Sequence, residues 1–531
     1  MILINSAAYG SSSLRNELGN VPPVFVPLGN KKLLAYQVEY LRRFFDEQIV
    51  LSLPQSYQLA AMEKKLLDRL QVSTCFVPDG LKLVAAILYI LNSIEEFSVS
   101  EPLRMLHGDT LLTTYQPNIN ALGLGRTVYD YHWENEANTQ GKVWCGYFSF
   151  DKPRLLIANL ARTQGNFIES VRQYHQQNPL DLIDCKEWFD FGHINTYFRS
   201  RAMVTTQRAF NELKIADGMV EKQSTQNRKI EAEGNWFFRL PEHLKVYVPQ
   251  LISWENSAEK SRYCLEYLNA MPLNELFVHG RKILPFWSHL CELFADLMAA
   301  LRKGAFNDEA LQQISQDAQK LYHDKTISRL DQYALISGGE FNLNQAVKYA
   351  GIELGTIREI ALDCIHRTQK LPIIPCYLHG DLCFSNVLYD SRADNIKIID
   401  PRGINADNQL TLLGDQKYDL AKLCHSFVGL YDFIIADSFE LIENEHIGVE
   451  LNFDCDEQVL AMADIFWQTP FIPDFNNRNI LPLTVLLFLS MLPLHSDKPL
   501  RQKAMLANAL RIYAEFIQKK NETHKDRLQN E

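Results

Sequence analysis

The N-terminal part of the chain alternates short apolar runs with longer periodic ones. The runs at 2–5, 49–53 and 103–106 have the length and the continuous apolar character of buried strands. The stretches at 33–45 and 83–91 repeat apolar residues at helical spacing. Strands that alternate with helices predict an α/β domain with a mainly parallel sheet, whose ligands bind beyond the carboxyl ends of the strands.

The pattern changes after about residue 201. Strand-like runs at 208–215 and 218–222 flank a turn at 216–218, and a helix-prone stretch follows at 226–238. Further on, long periodic stretches predict helices at 286–303, 343–370 and 501–519, and the last dozen polar residues are expected to fray. A small sheet-containing lobe followed by a larger helical lobe is the expected arrangement.

The most apolar run of the chain covers residues 481–494 and contains two prolines. It is shorter than the roughly 20 residues that a membrane-spanning helix needs. We therefore predict a buried helix and no membrane insertion.

Three short apolar runs at 376–378, 387–389 and 396–399 predict neighbouring strands with polar residues at their ends. Asp381, Asn386 and Asp400 lie at those ends. Phosphoryl transfer needs such a set, because one carboxylate orients the attacking hydroxyl and accepts its proton. An amide oxygen and a second carboxylate then hold Mg²⁺ against the phosphates. The alternative is that all three are ordinary turn residues, since Asp and Asn favour turns.

The spacing within this stretch distinguishes the two interpretations. The sequence HGD at 379–381, followed by four residues and Asn386, resembles the catalytic loop of protein kinases, with HGD in place of HRD. Asp400, in the sequence IDP, stands where those kinases have their DFG aspartate. This variant resembles the aminoglycoside phosphotransferase and choline kinase family of small-molecule kinases. The resemblance implies a bilobal kinase-like fold, ATP and Mg²⁺ as cofactors, Asp381 as catalytic residue, and Asn386 and Asp400 as metal ligands.

The same resemblance implies a nucleotide site in the smaller lobe. Lys222 follows a predicted strand at the position of the lysine that pairs with α- and β-phosphate oxygens. Glu233 on the next predicted helix is the expected partner of that lysine, and Glu231 is the second choice. The stretch at 263–273 resembles the hinge between the lobes, where backbone groups from Glu266 to residue 268 would meet the adenine edge.

A later motif, GDQKYDLA at 414–421, also occurs in this kinase family. The resemblance implies that Asp419 supports the catalytic loop through hydrogen bonds. Asp415 is expected to cap the helix that begins there. Neither aspartate is expected to take part in phosphoryl transfer itself.

Four motifs in the first 200 residues occur in an order that resembles sugar-phosphate nucleotidyltransferases. They are AAYG at 7–10, the pattern PxxxxPxG at 22–29, HGD at 107–109, and WFDFG at 188–192. The resemblance implies a Rossmann-like GT-A fold and a metal held by Asp109 and Asp190, with CTP or UTP as nucleotide.

Two departures from that family concern the phosphates. Gly10, Ser11 and Ser12 stand in a GSSSLR sequence where the family has GxGxR, although backbone amides and hydroxyls there can still cradle phosphate. Pro23 stands where the family has a lysine. The domain has therefore either kept its transferase activity or kept only the fold.

Length and composition set the remaining limits. The 531 residues suggest domains at 1–205 and 206–531, the second with lobes at about 206–275 and 276–531. A net charge of −11 and a pI of about 5.8 argue against binding to nucleic acid or anionic membranes. The ten cysteines lack zinc spacing and the N-terminus lacks a basic signal region, so reduced thiols and a cytoplasmic location are expected.

Together these features predict a bifunctional enzyme. The kinase would phosphorylate a hydroxyl of a sugar, polyol or aminoalcohol, and the nucleotidyltransferase would convert the product to an NDP or CDP derivative. Such fusions resemble bacterial enzymes that make precursors of capsule and other surface polysaccharides. One alternative is a kinase whose first domain serves binding or assembly. A pseudokinase scaffold is the other alternative, and the intact Asp381, Asn386, Asp400 and Lys222 argue against it.

Overall fold

The structure is a computed structural model that describes residues 1–95, 97–127, 141–163, 165–206, 213–216, 218–225, 228–257, 260–338 and 341–529. The chain forms two compact units. The first unit comprises Met1–Arg208 and His279–Arg281, and the second comprises Ala209–Val278 and Lys282–Glu531.

The first unit alternates strands and helices along most of its length. Its strands are β1 Ile2–Asn5, β2 Pro27–Leu28, β3 Lys31–Lys32, β4 Ile49–Pro54, β5 Val72–Val77, β6 Leu103–His107, β7 Thr110–Leu112, β8 Ala121–Arg126, β9 Lys142–Phe150, β10 Asp181–Asp184 and β11 Trp188–Asp190. Its helices are α1 Ser12–Leu18, α2 Leu33–Leu41, α3 Ala61–Leu70, α4 Leu83–Ser93, α5 Pro153–Arg162, α6 Phe167–Gln177 and α7 Ile194–Thr206.

Seven of these strands form one twisted sheet in the order β10-β8-β9-β6-β1-β4-β5. Strands β6, β1, β4 and β5 run parallel, whereas β9 is antiparallel to both β6 and β8. Side chains on the two faces of β1 belong to two separate buried clusters, so the strand is covered on both sides. This accounts for its unbroken apolar sequence. The predicted α/β fold with a mainly parallel sheet is confirmed.

The serine-rich segment after residue 10 contains a short helix, since α1 begins at Ser12. The helix buries Leu14 and Leu18, which lie four residues apart on one face. Burial of this face stabilises a helix that local propensity alone would leave marginal.

The second unit contains the remaining elements. Its strands are β12 Leu213–Ala216, β13 Met219–Ser224, β14 Leu251–Asn256, β15 Ser261–Glu266, β16 Met271–Pro272, β17 Ala346–Tyr349, β18 Ile352–Thr356, β19 Pro375–Tyr377, β20 Val387–Asp390, β21 Asn395–Ile398, β22 Leu413–Asp415, β23 Phe439–Asn444 and β24 Gly448–Phe453. The helices of this part of the chain are α8 Arg228–Arg239, α9 Leu273–His279, α10 Leu284–Leu301, α11 Asp308–Gln319, α12 Lys325–Ile336, α13 Ile357–Gln369, α14 Lys417–Phe427, α15 Tyr431–Ile435, α16 Glu457–Gln468, α17 Leu481–Met491 and α18 Pro499–Gln529.

The small lobe of the second unit is an antiparallel sheet in the order β12-β13-β15-β14. Helix α8 packs on this sheet through Gly234, where a Cβ atom would lie 2.1 Å from the ring of Trp254. The larger part is mostly helical. The predicted helix at 226–238 is confirmed over its described residues, while residues 208–212 of the strand predicted at 208–215 lie outside them.

The prediction of a single helix over residues 343–370 is wrong. The structure has a hairpin of β17 and β18 followed by α13. Ala350 and Gly351 form the turn with φ angles of 47° and 83°, in the left-handed region that favours glycine. The hairpin extends a sheet in the order β18-β17-β24-β23, so distant strands override the local helical pattern.

Two helical segments near the C-terminus are longer than predicted. Within the described residues, one helical segment, Asn477–His495, is long and apolar enough to cross a membrane by length and composition, so the prediction that this run is too short is wrong. Every residue of its α17 portion is buried, as a core helix requires. Helix α18 continues to Gln529, beyond the predicted end at 519.

Candidate functional site

The HGD sequence of the second unit forms a tight loop after β19. Gly380 has φ of 79°, and a Cβ atom there would lie 2.7 Å from the Cβ of Arg402, so only glycine fits. The buried His379 ring donates from Nε2 to the carbonyl of Ile399 (2.9 Å) and accepts at Nδ1 from the amide of Asp381 (3.2 Å). Burial lowers the pKa of His379 and keeps the ring neutral. The histidine therefore fixes the loop that presents Asp381.

Asp419 on α14 supports the same loop, as predicted. Its two carboxylate oxygens accept from the amides of His379 (2.9 Å) and Gly380 (2.8 Å). Asp415 accepts from the hydroxyl of Tyr322 (2.9 Å) and from the amide of Lys417 at the start of α14 (3.3 Å). Two buried carboxylates thus connect α14 to its surroundings.

Replacing Asp419 with alanine is expected to destabilise the second unit by roughly 2–4 kcal/mol. Two buried amides would lose their acceptor at about 1–3 kcal/mol each, partly offset by relief of the buried carboxylate. Urea unfolding of the variant measures the loss. Asp419→Asn, which keeps one acceptor oxygen, should lose less, and Asp331→Asn at an exposed ion pair should lose almost nothing. An Asp419→Ala variant as stable as wild type would contradict the support role.

The carboxylate of Asp381 is held from both sides. Lys422 donates to Oδ1 (2.9 Å), and the side-chain amide of Asn386 donates to Oδ2 (2.9 Å) and to the Asp381 carbonyl (2.9 Å). The Asp381 side chain remains 44% exposed. Burial opposes ionisation, but the Lys422 ammonium outweighs it and holds the pKa of Asp381 below its usual range. Asp381 is therefore an ionised, oriented acceptor.

Lys222 on β13 connects the small lobe to Asp400. Its ammonium donates to Asp400 Oδ1 (2.6 Å) and to the buried Glu233 on α8 (3.2 Å). Tyr263 also donates its hydroxyl to Glu233, which fixes this carboxylate. Burial would lower the pKa of Lys222, but the two carboxylates outweigh it and raise that pKa. Glu231, the second choice, pairs with Arg228 instead.

Asn386 and Asp400 have the oxygens that the resemblance assigns to Mg²⁺. The nitrogen of the Asn386 amide faces Asp381, which leaves its carbonyl oxygen for other contacts. Asp400 has φ of 57°, a conformation that costs energy in a non-glycine residue and concentrates at functional sites. The described residues contain no cluster of three or more His, Cys, Asp or Glu side chains suited to a metal. An amide–carboxylate pair that completes its coordination with phosphate oxygens and water fits Mg²⁺.

The predicted hinge follows β15. The amide of Glu266 donates to the carbonyl of Gln250 (3.0 Å), and the amide of Tyr267 donates to that of Gly218 (2.8 Å). Neither amide is available to an adenine edge. Among the described residues the backbone amide of Leu268 has no carbonyl partner. The predicted contact with the adenine edge is therefore restricted to this amide and the neighbouring carbonyls.

Sequence reasoning missed the cations around Asp381. Lys422 lies three residues after Asp419, one helical turn away on the same face, and this spacing was a usable signal. Arg402 and Lys325 gave no such signal, because they reach the site through a loop and a distant helix.

The first unit brings Asp109 and Asp190 together. Thr110 of β7 pairs with Asp190 of β11, and the Phe191 amide donates to the Asp109 carbonyl (2.8 Å). A Cβ atom on Gly192 would lie 2.5 Å from Asp109 Oδ2 and 3.2 Å from Asp190 Oδ1, so both carboxylates converge on this glycine. They line a cavity of about 50 Å³.

Burial and the charge of Asp190 raise the pKa of Asp109. A divalent cation between the carboxylates would relieve this repulsion, so the pair fits a metal.

The predicted phosphate loop lies at the start of α1. Gly10 and Ser11 precede the helix and Ser12 begins it, and all three are at least partly exposed. Lys32, a lysine further along the same motif, is buried against Glu63 (2.8 Å) and does not replace the lysine missing at Pro23. The phosphate role of this loop stays a prediction.

No protein-family model and no curated protein matches the chain. Its N-terminal part, 38% of its length, is similar to 4-diphosphocytidyl-2C-methyl-D-erythritol synthase from Anaerococcus prevotii, at 8% identity over 97% of that chain and a TM-score of 0.27. An aminoglycoside phosphotransferase from Streptomyces rimosus, solved with ADP and streptomycin, matches 53% of this chain and 96% of its own, with 14% identity and a TM-score of 0.26. Ethanolamine kinase from Plasmodium vivax matches 64% of this chain and 93% of its own, with 12% identity and a TM-score of 0.34. The chain is thus similar to a nucleotidyltransferase over its N-terminal part and to small-molecule kinases over the rest.

Proposed function

We propose that the second unit is an ATP-dependent phosphotransferase that phosphorylates a hydroxyl group of a small molecule. One observation carries the proposal. Lys222, Glu233 and Asp400 form one ion-pair network, while Asp381 and Asn386 are hydrogen-bonded to each other on the loop that Asp419 supports. A scaffold without activity does not require this combination of charges, in which a buried glutamate holds a lysine and two aspartates remain partly exposed.

Each residue then has a role in the transfer. The Lys222 ammonium, held by Glu233, binds phosphate oxygens of ATP. Asp381 accepts a hydrogen bond from the acceptor hydroxyl, whose oxygen bonds to the γ-phosphorus while the bond to the ADP oxygen breaks. The hydroxyl proton passes to Asp381 and then to solvent. Mg²⁺ bound by Asn386 and Asp400 would neutralise charge on the phosphate oxygens.

An ATP-turnover assay of the full chain over alcohols, sugars, polyols and aminoalcohols tests the proposal. ADP formation that depends on an acceptor supports the kinase. ATP that stays intact with every acceptor, in a folded and Mg²⁺-supplied protein, would contradict it.

The two glutamates on α8 provide a matched comparison. Glu233→Gln should raise the KM for ATP by about 10-fold or more, because Lys222 loses a buried charged partner worth roughly 1.5–3 kcal/mol. Glu231→Gln, on the same helix but paired with Arg228, should leave KM unchanged. Steady-state kinetics with ATP as the varied substrate separates them. Equal effects of both substitutions would reject the assignment of Glu233.

A second function is favoured by the convergence of Asp109 and Asp190. We infer that the first unit binds a nucleoside triphosphate, CTP or UTP, with a divalent metal held by these carboxylates. It would then join the kinase product to a nucleoside monophosphate and release pyrophosphate, as for precursors of surface polysaccharides. Pyrophosphate release from CTP or UTP in the presence of a kinase product tests this step, because the kinase reaction releases none.

The metal prediction for the first unit is testable without activity. In an Asp400→Ala background, which removes the other proposed metal site, Mn²⁺ or Mg²⁺ should raise the melting temperature of the first unit by about 2–4 °C for each 1 kcal/mol of binding. Asp109→Asn should raise the melting temperature in EDTA, because it removes one of two repelling carboxylates, and should abolish the metal effect. The exposed Asp68→Asn serves as control. A metal effect that persists in Asp109→Asn would move the site elsewhere.

A further inference from the structure

Basic side chains surround Asp381 in the second unit. Lys422 pairs with its carboxylate (2.9 Å). Arg402 packs against Gly380, next to Asp381, and its guanidinium lies 5.5 Å from the centre of the Tyr418 ring. Lys325, the first residue of α12, lies within electrostatic reach of Asp381 and Arg402. Arg329, one turn later, lies near Lys325 and Arg402. Asp381 therefore lies among cations from three different parts of the chain.

Two of these basic side chains have no anionic partner in the described part of the chain. Lys422 uses the Asp381 carboxylate, and Arg329 donates to the carbonyl of Ser490 (2.9 Å). Asp419, a nearby carboxylate, accepts from backbone amides through both of its oxygens. Within the described residues, the Lys325 ammonium and the Arg402 guanidinium have neither a carboxylate partner nor a hydrogen-bond acceptor. Two basic groups near Asp381 are thus left without a direct anionic partner in that part of the chain.

Such an arrangement is costly unless an anion completes it. Burial, together with Arg402, Arg329 and Lys422, lowers the pKa of Lys325 to about 6, so this amine is largely neutral near pH 7 until an anion pairs with it. A bound anion would reverse this by pairing with the ammonium and with the planar donors of the guanidinium. A cationic acceptor such as an aminoalcohol would instead add a further positive charge.

We propose that the acceptor of this phosphotransferase is an anionic alcohol, a hydroxyl compound that also carries a phosphate or carboxylate group. Lys325 and Arg402 bind the anionic group while the hydroxyl meets Asp381. The inference rests on the proposed kinase function and specifies its substrate class.

Matched acceptor sets test the inference on the full chain with Mg²⁺-ATP. Glycerol, glycerol 3-phosphate and glycerate form one set with ethanolamine. Glucose, glucose 6-phosphate, gluconate and glucosamine form another. The anionic members should exceed the neutral and cationic members of their set by about 10-fold or more in kcat/KM. Comparison of glycerol 3-phosphate with glycerate, and of glucose 6-phosphate with gluconate, distinguishes phosphate from carboxylate.

Charge-removing variants show where the anion binds. Lys325→Met and Arg402→Gln should each raise the KM for the anionic acceptor by about 10-fold or more and leave the KM for ATP unchanged. Lys348→Met, at an exposed ion pair with Glu353, should change neither.

Three outcomes would overturn the inference. Preference for neutral or cationic acceptors would leave the kinase intact and reject an anionic substrate. Lys325→Met and Arg402→Gln could instead lower kcat equally with every acceptor and leave the acceptor KM unchanged. That result would show that these side chains contact the transferred phosphoryl group and not the acceptor. If no acceptor in either set supports ADP formation, the kinase function on which the inference rests is rejected.

Discussion

Asp381→Asn is expected to lower kcat by about 10²–10⁴-fold, the usual effect of losing a general base, while ATP still binds. Asparagine keeps the size of the side chain and one acceptor oxygen, but it cannot take the proton of the acceptor hydroxyl. Lys222, which we propose binds phosphate, contacts Glu233 and Asp400 and not Asp381, so the KM for ATP should change little. Steady-state kinetics and nucleotide binding by calorimetry measure both quantities.

The substitution also leaves Lys422 without its charged partner. Some loss of thermal stability is therefore expected, and the melting temperature should be recorded for every variant. Asp331→Asn, which removes an exposed carboxylate paired with Arg358, is the control for loss of a negative charge. Wild-type turnover by Asp381→Asn would refute the catalytic assignment.

Asp400→Ala is expected to reduce kcat by on the order of 10²–10³-fold and to raise the Mg²⁺ concentration needed for half-maximal activity. The variant removes a proposed metal ligand and one of the two carboxylates that hold Lys222. EDTA should abolish turnover in the wild type, and Mg²⁺ or Mn²⁺ should restore it. A Mg²⁺ titration of ATP turnover at saturating ATP measures the shift.

Loss of metal binding must be separated from loss of the Lys222 contact. Lys222→Met is the comparison, because it breaks the same contact and leaves both proposed metal ligands in place. It should raise the KM for ATP without shifting the Mg²⁺ requirement. Phosphorylation that proceeds in EDTA would contradict the metal assignment of Asn386 and Asp400.

Local pattern was sufficient for the strands around Asp381. Each is a short apolar run bounded by turn-forming residues, and the structure places β19, β20 and β21 there. The pairing of Lys222 with a glutamate on the next helix could also be predicted, because it depends only on a strand followed by a helix. The structure pairs Lys222 with the first choice, Glu233, and gives the reason: this carboxylate is buried against Tyr263, whereas Glu231 pairs with Arg228.

Long-range contacts explain what sequence did not predict. The β17–β18 hairpin is stabilised by its pairing with β24, which lies about a hundred residues further along the chain. The cations near Asp381 come from α12, α14 and the loop at Arg402, and no short motif joins them. The convergence of Asp109 and Asp190 was expected only from a fold resemblance, and it depends on the antiparallel pairing of β7 with β11.

The central claim, transfer of the γ-phosphoryl group of ATP to an alcohol by the second unit, is tested most directly by ³¹P NMR of the full chain with Mg²⁺-ATP and an acceptor. The account predicts a new phosphomonoester signal that grows at the rate of ADP formation in the wild type and is absent over the same time in Asp381→Asn. ADP accompanied only by inorganic phosphate, or an equal phosphomonoester signal from Asp381→Asn, would contradict it.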